Sequence, residues 1–94
     1  MAHERTLRWS SHAFSRLHKI LERVASDKPL AAQRLARAIA SKAEALCVTP
    51  YLGQEISAGI RKLVVHRHYL VTYRVTSEHI EILQIWHTAQ NRKI

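Results

Sequence analysis

The sequence predicts an α+β fold: an N-terminal strand, an antiparallel helical hairpin, then a three-stranded antiparallel meander, all contributing to one sheet. Three observations carry this. Apolar residues recur at helical spacing through the first half, β-branched and aromatic residues concentrate in the second, and the connectors between are short. Runs of helix followed by runs of strand put the helices together on one face of an antiparallel sheet. The 94 residues are enough for one domain, 1–94, with a single modest core.

In Arg5-Thr6-Leu7-Arg8-Trp9-Ser10 the apolar Leu7 and Trp9 alternate with polar neighbours, which makes a short strand with one apolar face. A serine hydroxyl accepts the free N–H groups of a first helical turn, so Ser10 or Ser11 caps the helix that follows. Phe14, Leu17, Leu21 and Val24 then recur at spacings of three, four and three, with Ala13 and Ile20 beside them and Arg16, Lys19, Glu22 and Arg23 opposite. This helix ends near Ser26-Asp27-Lys28-Pro29, because proline cannot continue a helix but fits the first turn of a new one. The second helix is expected from Pro29 or Leu30 to Leu46, on a stripe of Leu35, Ile39, Ala43 and Leu46. The short link makes the pair an antiparallel hairpin. Pro50 and Gly53 mark Val48 to Glu55 as a loop. Beyond Gly59, Ile60 to Val65, Tyr69 to Val75 and Ile80 to Trp86 read as strands, joined at Arg67-His68 and at Thr76 to His79 by hairpin-length connectors.

Fifteen Lys and Arg against seven Asp and Glu give a formal net charge of +8 before any of seven histidines is protonated. Such an excess on a small domain favours an acidic partner such as nucleic acid, the ribosome or an acidic protein. The hydrophobic fraction of 47 % is that of a globular chain, and no apolar run approaches the roughly 20 residues of a membrane span. No apolar stretch of the secretory kind follows Met1 to Arg5, so the expected location is the cytoplasm, with no membrane partner. A lone Cys47 forms no internal disulfide and reads as a small buried thiol near a helix end.

Sheet arginines are usually plain surface charges. Arg61, Arg67 and Arg74, however, lie on consecutive strands and their connector, and Arg92 lies in the tail, so hairpin geometry can gather several into a target-contact patch. His66 and His68 alternate along one strand, but two imidazoles without a spaced Cys or carboxylate make a poor zinc site. No metal and no cofactor is expected. Tyr69 and Tyr73 share a strand face and read as cross-strand packing. Trp9 and Trp86 read as core or hairpin-covering residues, Trp86 also as a residue of a partner surface. The last apolar strand runs without Gly or Pro into His87 to Lys93, so polar groups leave the sheet there.

Taken together, Gly59 to Val65, Tyr69 to Val75, Ile80 to Leu83, His87 and Arg92 make an arginine-bearing strand, a Tyr-x-x-x-Tyr strand, an Ile-x-Ile-Leu strand and a final His followed by Arg. In this order and spacing they resemble the RelE/ParE superfamily of bacterial type II toxin–antitoxin toxins; Ala31-Ala32, Pro50 and Gly53 resemble its N-terminal half. The resemblance implies a toxin held inactive by a cognate antitoxin in a hetero-oligomer. It implies one of two targets: DNA gyrase for ParE-like members, or mRNA in the ribosomal A site for RelE-like endoribonucleases. Cleavage through the 2′-OH requires that hydroxyl to be deprotonated, the phosphorus charge stabilised and the leaving oxygen protonated. RelE-type nucleases hold an arginine directly after the first Tyr of the Tyr-x-x-x-Tyr strand and lysines at alternate positions on the strand before it. Here those places carry Leu70 and, two beyond Arg61, Leu63. The ParE-like reading is therefore preferred: a gyrase inhibitor touching its target through Arg61, Arg67, Arg74, His87 and Arg92. The alternative is a nuclease working through His66 and His87, since imidazole exchanges protons near neutral pH; a second alternative is a basic nucleic-acid-binding module. The apolar helix stripes exceed what a small sheet can hide, so the antitoxin segment is expected to be acidic and amphipathic and to fold on binding. Arg16, Lys19, Arg23, Arg34, Arg37 and Lys42 are expected to face solvent or that antitoxin.

Overall fold

In the computed structural model, which describes residues 4–89, β1 (Thr6–Trp9) leads into α1 (Ser11–Asp27) and α2 (Pro29–Ala45). These are followed by β2 (Gln54–Ser57), β3 (Ile60–His66), β4 (Tyr69–Val75) and β5 (His79–His87). One sheet results, in the order β1-β5-β4-β3-β2. β1 runs parallel to β5, and every other neighbouring pair is antiparallel.

The α+β class, the helical hairpin and the meander are as the sequence predicts, with one strand more. β2 forms inside and just beyond the stretch read as a loop. Only Ile56 among its four residues is even half-buried, so the segment has no apolar alternation by which a strand is recognised. It pairs as an edge strand with β3 through a turn in which Gly59 takes φ +75°, a conformation that side chains with a Cβ resist. β3 and β5 also reach one residue further than expected, to His66 and His87, so that His87 ends a strand instead of opening the tail.

Ser10 fixes how the first helix meets the sheet. Its hydroxyl accepts the Ala13 N–H at 3.0 Å as the N-cap of α1 and donates to the Leu83 carbonyl at 2.9 Å. Leu83 needs that donor because it is the extra residue of a bulge: Thr72 pairs with Gln84, but Tyr73 pairs with Ile82. The bulge shifts the alternation of β5 by one residue. Ile80, Ile82 and Ile85 therefore all enter the core although their spacing changes from two to three.

Ala13 of α1 and Ala43 of α2 are wholly buried, and such small side chains allow close approach in the core. Ala32, Leu35, Ile39 and Ala43 form the buried stripe of α2, while Leu17, Ile20, Leu21 and Val24 of α1 are half-buried against the core. Phe14, expected on the buried stripe, is 55 % exposed. Lys28 ends one helix and opens the next: its N–H donates to the Val24 carbonyl at 2.7 Å, and Pro29 occupies the first turn of α2. Among the described residues no helix is long and apolar enough to cross a membrane.

Candidate functional site

The residues predicted to contact a target fall into two groups at opposite ends of the sheet. At one end is Arg61, on the face shared with the buried Tyr73. The Tyr73 hydroxyl accepts the Gly53 N–H at 2.8 Å and donates to the Pro50 carbonyl at 2.8 Å, tying the loop before β2 to the core. Gly53 has no room for a side chain: a Cβ would lie 2.7 Å from the Tyr73 hydroxyl and 2.5 Å from the Lys62 carbonyl. Arg61 closes the loop from outside. Its Nη1 donates to the Gly53 carbonyl at 2.6 Å, its guanidinium lies 5.0 Å from the centre of the Tyr51 ring, and Nη2 is 3.8 Å from Glu55. Burial pushes the Tyr73 phenol above its ordinary pKa, and the Gly53 hydrogen bond and the Arg61 charge oppose that rise. Arg61 thus positions the 50–53 loop and presents Tyr51.

Arg74 is next to Tyr73 on the opposite sheet face, 3.9 Å from Glu81. Arg67 is exposed in the β3–β4 turn, with His87 close by, while Arg92 lies outside the described residues. Along β4, the partners of Arg61 and His87 are Tyr73 and Tyr69, four residues or about 13 Å apart. The expected patch is therefore split, with Arg61 and Arg74 at one end and Arg67 and His87 at the other.

The second end gathers more than arginine. Tyr69 pairs with His66 on one side and His87 on the other, a register made possible by a bulge at Val65. The His68 and His87 rings stack at 5.8 Å and 23°, Tyr69 meets His87 edge-on at 5.4 Å, and His66 stands 5.7 Å from His68 and 6.2 Å from Tyr69. Backbone contacts orient two of these rings: His66 Nδ1 accepts the His68 N–H at 3.2 Å, and His87 Nδ1 accepts the Ala89 N–H at 3.1 Å. Thr88 braces the turn by donating from its N–H to the His68 carbonyl at 2.8 Å and from its hydroxyl to the Arg67 carbonyl at 3.2 Å. With Val24, Ala31 and Leu35 of the helical hairpin as the far wall, the cluster lines a pocket of about 300 Å³. Burial, then the neighbouring His68 and Arg67, hold the His66 pKa below its ordinary value, so this imidazole is neutral at pH 7. No group of three metal-ligating side chains stands in coordinating position among the described residues.

The sequence places His66, His68 and His87 near one end of the sheet but assigns Tyr69 to packing alone. The pairing of Tyr69 with His66 follows from the β3–β4 connector, but its pairing with His87 does not, because it depends on the bulge at Leu83. Nor does the helical wall, because it depends on how the hairpin lies across the sheet.

Two further surfaces are apolar. A groove of about 180 Å³ between β1 and the helices is lined by Leu7, Trp9, Phe14, Leu17 and Leu21 with α2 residues, beside a strand that among the described residues has no neighbour on its outer side. Across the sheet a wider hollow of about 510 Å³ is lined by Ile56, Ile60, Thr72, Leu83 and Trp86, among others. Beside it, Trp86 Nε1 and Arg16 Nε line a small neighbouring pocket and are buried without a hydrogen-bond partner among the described residues. Leu70 is wholly buried and Leu63 packs against the core.

This fold, a two-helix hairpin on a mixed sheet, is shared with solved structures of toxin–antitoxin pairs. Among solved structures, the chain is similar to one titled as a chromosomal ParDE toxin–antitoxin system from P. aeruginosa, at a TM-score of 0.76 and 23 % identity over 90 % of this chain and 97 % of that one. It is also similar to the E. coli DinJ–YafQ toxin–antitoxin complex, at a TM-score of 0.55 and 14 % identity over 95 % of this chain and 98 % of that one. In sequence it is 33 % identical over 82 residues to toxin RelE2 of Caulobacter vibrioides, covering 87 % of this chain and 93 % of the relative. Residues 7–92 match the family model described as the ParE toxin of the type II toxin–antitoxin system parDE, and the chain belongs to that family.

Proposed function

We propose that the protein arrests growth in the cytoplasm by binding DNA gyrase and is held inactive by an antitoxin. Leu70 carries the choice of target. It is wholly buried, and Leu63 packs on the core, so the two places where a RelE-type nuclease would offer cations to a phosphate offer hydrocarbon. The match to the ParE family model leans the same way. Target contact is assigned to Arg67, Arg74, His87 and Arg92 through charge and hydrogen bonds, with Arg61 holding the loop that presents Tyr51. The test pairs a gyrase supercoiling assay with primer extension on translated message, both using the purified full chain. Blocked supercoiling with intact message supports the reading; message cleavage with normal supercoiling overturns it.

A second reading, ribosome-dependent mRNA cleavage, is favoured by the pocket that unites His66, His68, Tyr69 and His87. There the His66 Nε2–H would donate to the phosphate oxygens and His87 would protonate the leaving oxygen.

For the antitoxin, the groove between β1 and the helices fits the apolar face of an amphipathic segment. Exposed Lys19, Arg23, Arg34, Arg37 and Lys42 on the hairpin call for acidic residues on its other face. A short neighbouring reading frame encoding a DNA-binding N-terminus and an acidic C-terminus is the expected partner, and its product should co-purify with this chain.

A further inference from the structure

We infer that the turn between α2 and β2 is an apolar anchor, with Tyr51 and Leu52 inserting into a hydrophobic cleft on the target, and that this target is a protein. Val48, Tyr51 and Leu52 lie close together in the chain, yet all three are more than half exposed, Tyr51 at 59 % and Leu52 at 52 %. Single apolar side chains on a surface are ordinary, but three on one short turn, outside the core around Ile39 and Tyr73, mark a contact surface. The turn is also held rigid. Thr49 donates from its N–H and its hydroxyl to the Ala45 carbonyl at 3.0 and 2.9 Å, and the Leu52 N–H donates to the Thr49 carbonyl at 3.2 Å. Pro50, whose ring fixes φ, and Tyr51 thereby form the tip. The Tyr73 hydroxyl ties Pro50 and Gly53 to the core, while Arg61 holds the Gly53 carbonyl and packs on the Tyr51 ring. A loop already ordered loses little further entropy on docking, and tyrosine and arginine are enriched at the energetic centres of protein interfaces.

Chemistry and charge select the occupant. Val48 and Leu52 offer a nucleic acid neither a donor for its phosphates nor a flat face for its bases. A second copy of the chain would bring together two molecules of formal net charge +8. The groove assigned to the antitoxin lies beside β1, whereas Tyr51 packs against Arg61 of β3, three strands or about 14 Å across the sheet. What remains is an apolar cleft on an acidic protein surface, which the positive chain approaches with electrostatic steering. The inference rests on the proposed action against a protein target, and not on that protein being gyrase.

The experiment compares the full chain with its Tyr51→Ala, Tyr51→Phe and Leu52→Ala variants by growth arrest on induced expression, by gyrase supercoiling, and by calorimetric affinity for the co-purifying antitoxin. Both side chains are exposed, so the variants should melt close to the unaltered chain. The two Ala variants should lose growth arrest and need at least about tenfold more protein to block supercoiling. Tyr51→Phe keeps the apolar ring and should act as the unaltered chain does. Antitoxin affinity should be the same for all four proteins. If the unaltered chain arrests growth without affecting supercoiling, and the Ala variants still lose that arrest, gyrase is the wrong protein and the anchor is supported. Full arrest by both Ala variants would overturn the anchor. So would a parallel loss of antitoxin affinity, which would give the turn to the antitoxin instead. Loss in Tyr51→Ala with full activity in Leu52→Ala would overturn it as well, because a stacked nucleic-acid base needs only the ring.

Discussion

Replacing Tyr73 with Phe removes one oxygen and, with it, the link between the core and the 50–53 loop. That oxygen accepts from the Gly53 N–H and donates to the Pro50 carbonyl, each at 2.8 Å. A buried backbone group left without a partner costs about 1–3 kcal/mol. Pro50 is half-buried and its carbonyl can be rehydrated, so the net loss should be about 2–3 kcal/mol. For a chain of 94 residues, total stability is about 5–14 kcal/mol, and each kcal/mol moves Tm by about 4–8 °C. The variant should therefore melt about 8–24 °C lower. In urea the midpoint should fall with the slope unchanged, as expected when contacts are lost but the extent of unfolding is not. The alkaline limb provides an independent check. Burial raises the Tyr73 pKa above its ordinary value of 10.0, so above that pH the unfolded phenol loses its proton before the folded one. The stability this group contributes is whole below pH 10.0 and is lost as pH rises through the higher folded value. The Phe variant should lack that part of the decline. A loss under about 0.5 kcal/mol together with an unaltered alkaline limb would refute the account of the loop.

Gly53→Ala should destabilise by at least about 2 kcal/mol in urea unfolding, because its Cβ must displace both the Lys62 carbonyl and the Tyr73 hydroxyl. Ser10→Ala should lose about 1–2 kcal/mol, since both the α1 cap and the donor to the Leu83 carbonyl disappear; no change would mean that the bulge is held by other contacts. Folded His66 has a depressed pKa, so its share of stability is whole above the ordinary value of 6.5 and declines as pH falls through the lower folded value. His66→Gln should flatten this acid limb in melts recorded across that range. Phe14→Asp, at a side chain 55 % exposed, should leave the melt nearly unchanged yet weaken antitoxin binding at least about tenfold by calorimetry; undiminished affinity would move the antitoxin to another surface.

What could be read from the sequence was whatever depends on local periodicity. The stripe of Leu35, Ile39 and Ala43, the Ser10 cap, the Pro29 start of α2 and the two tight hairpins are all local signals, and all appear in the fold. β2 was not legible, because its Gln-Glu-Ile-Ser has no apolar face and exists as a strand only through β3 beside it. The outward position of Phe14 depends on the crossing of α1 over the sheet, which spacing alone does not fix. At the candidate site, imidazoles near one sheet end could be anticipated from strand order. The engagement of Arg61 with Gly53 and Tyr51 could not, because it needs the path of a loop without regular structure. Arginines that look equivalent as letters therefore differ in role, Arg61 holding a loop while Arg67 and Arg74 face outward.

The parallel pairing of β1 with β5 imposes an order of assembly. Thr6 meets His79, so the contact closes a loop of about 73 residues, at an entropic cost near 4 kcal/mol beyond a length-independent constant. A chain still being synthesised has both helices and β1 long before it has β5. Until then Leu7 and Trp9 lack their strand partner, and Ala13 lacks the isoleucines it packs beneath. The groove beside β1 and the pocket containing His87 come into being only with the last strand. A product terminated before His79 has neither surface, so nascent and prematurely ended chains are expected to be harmless to the cell that makes them.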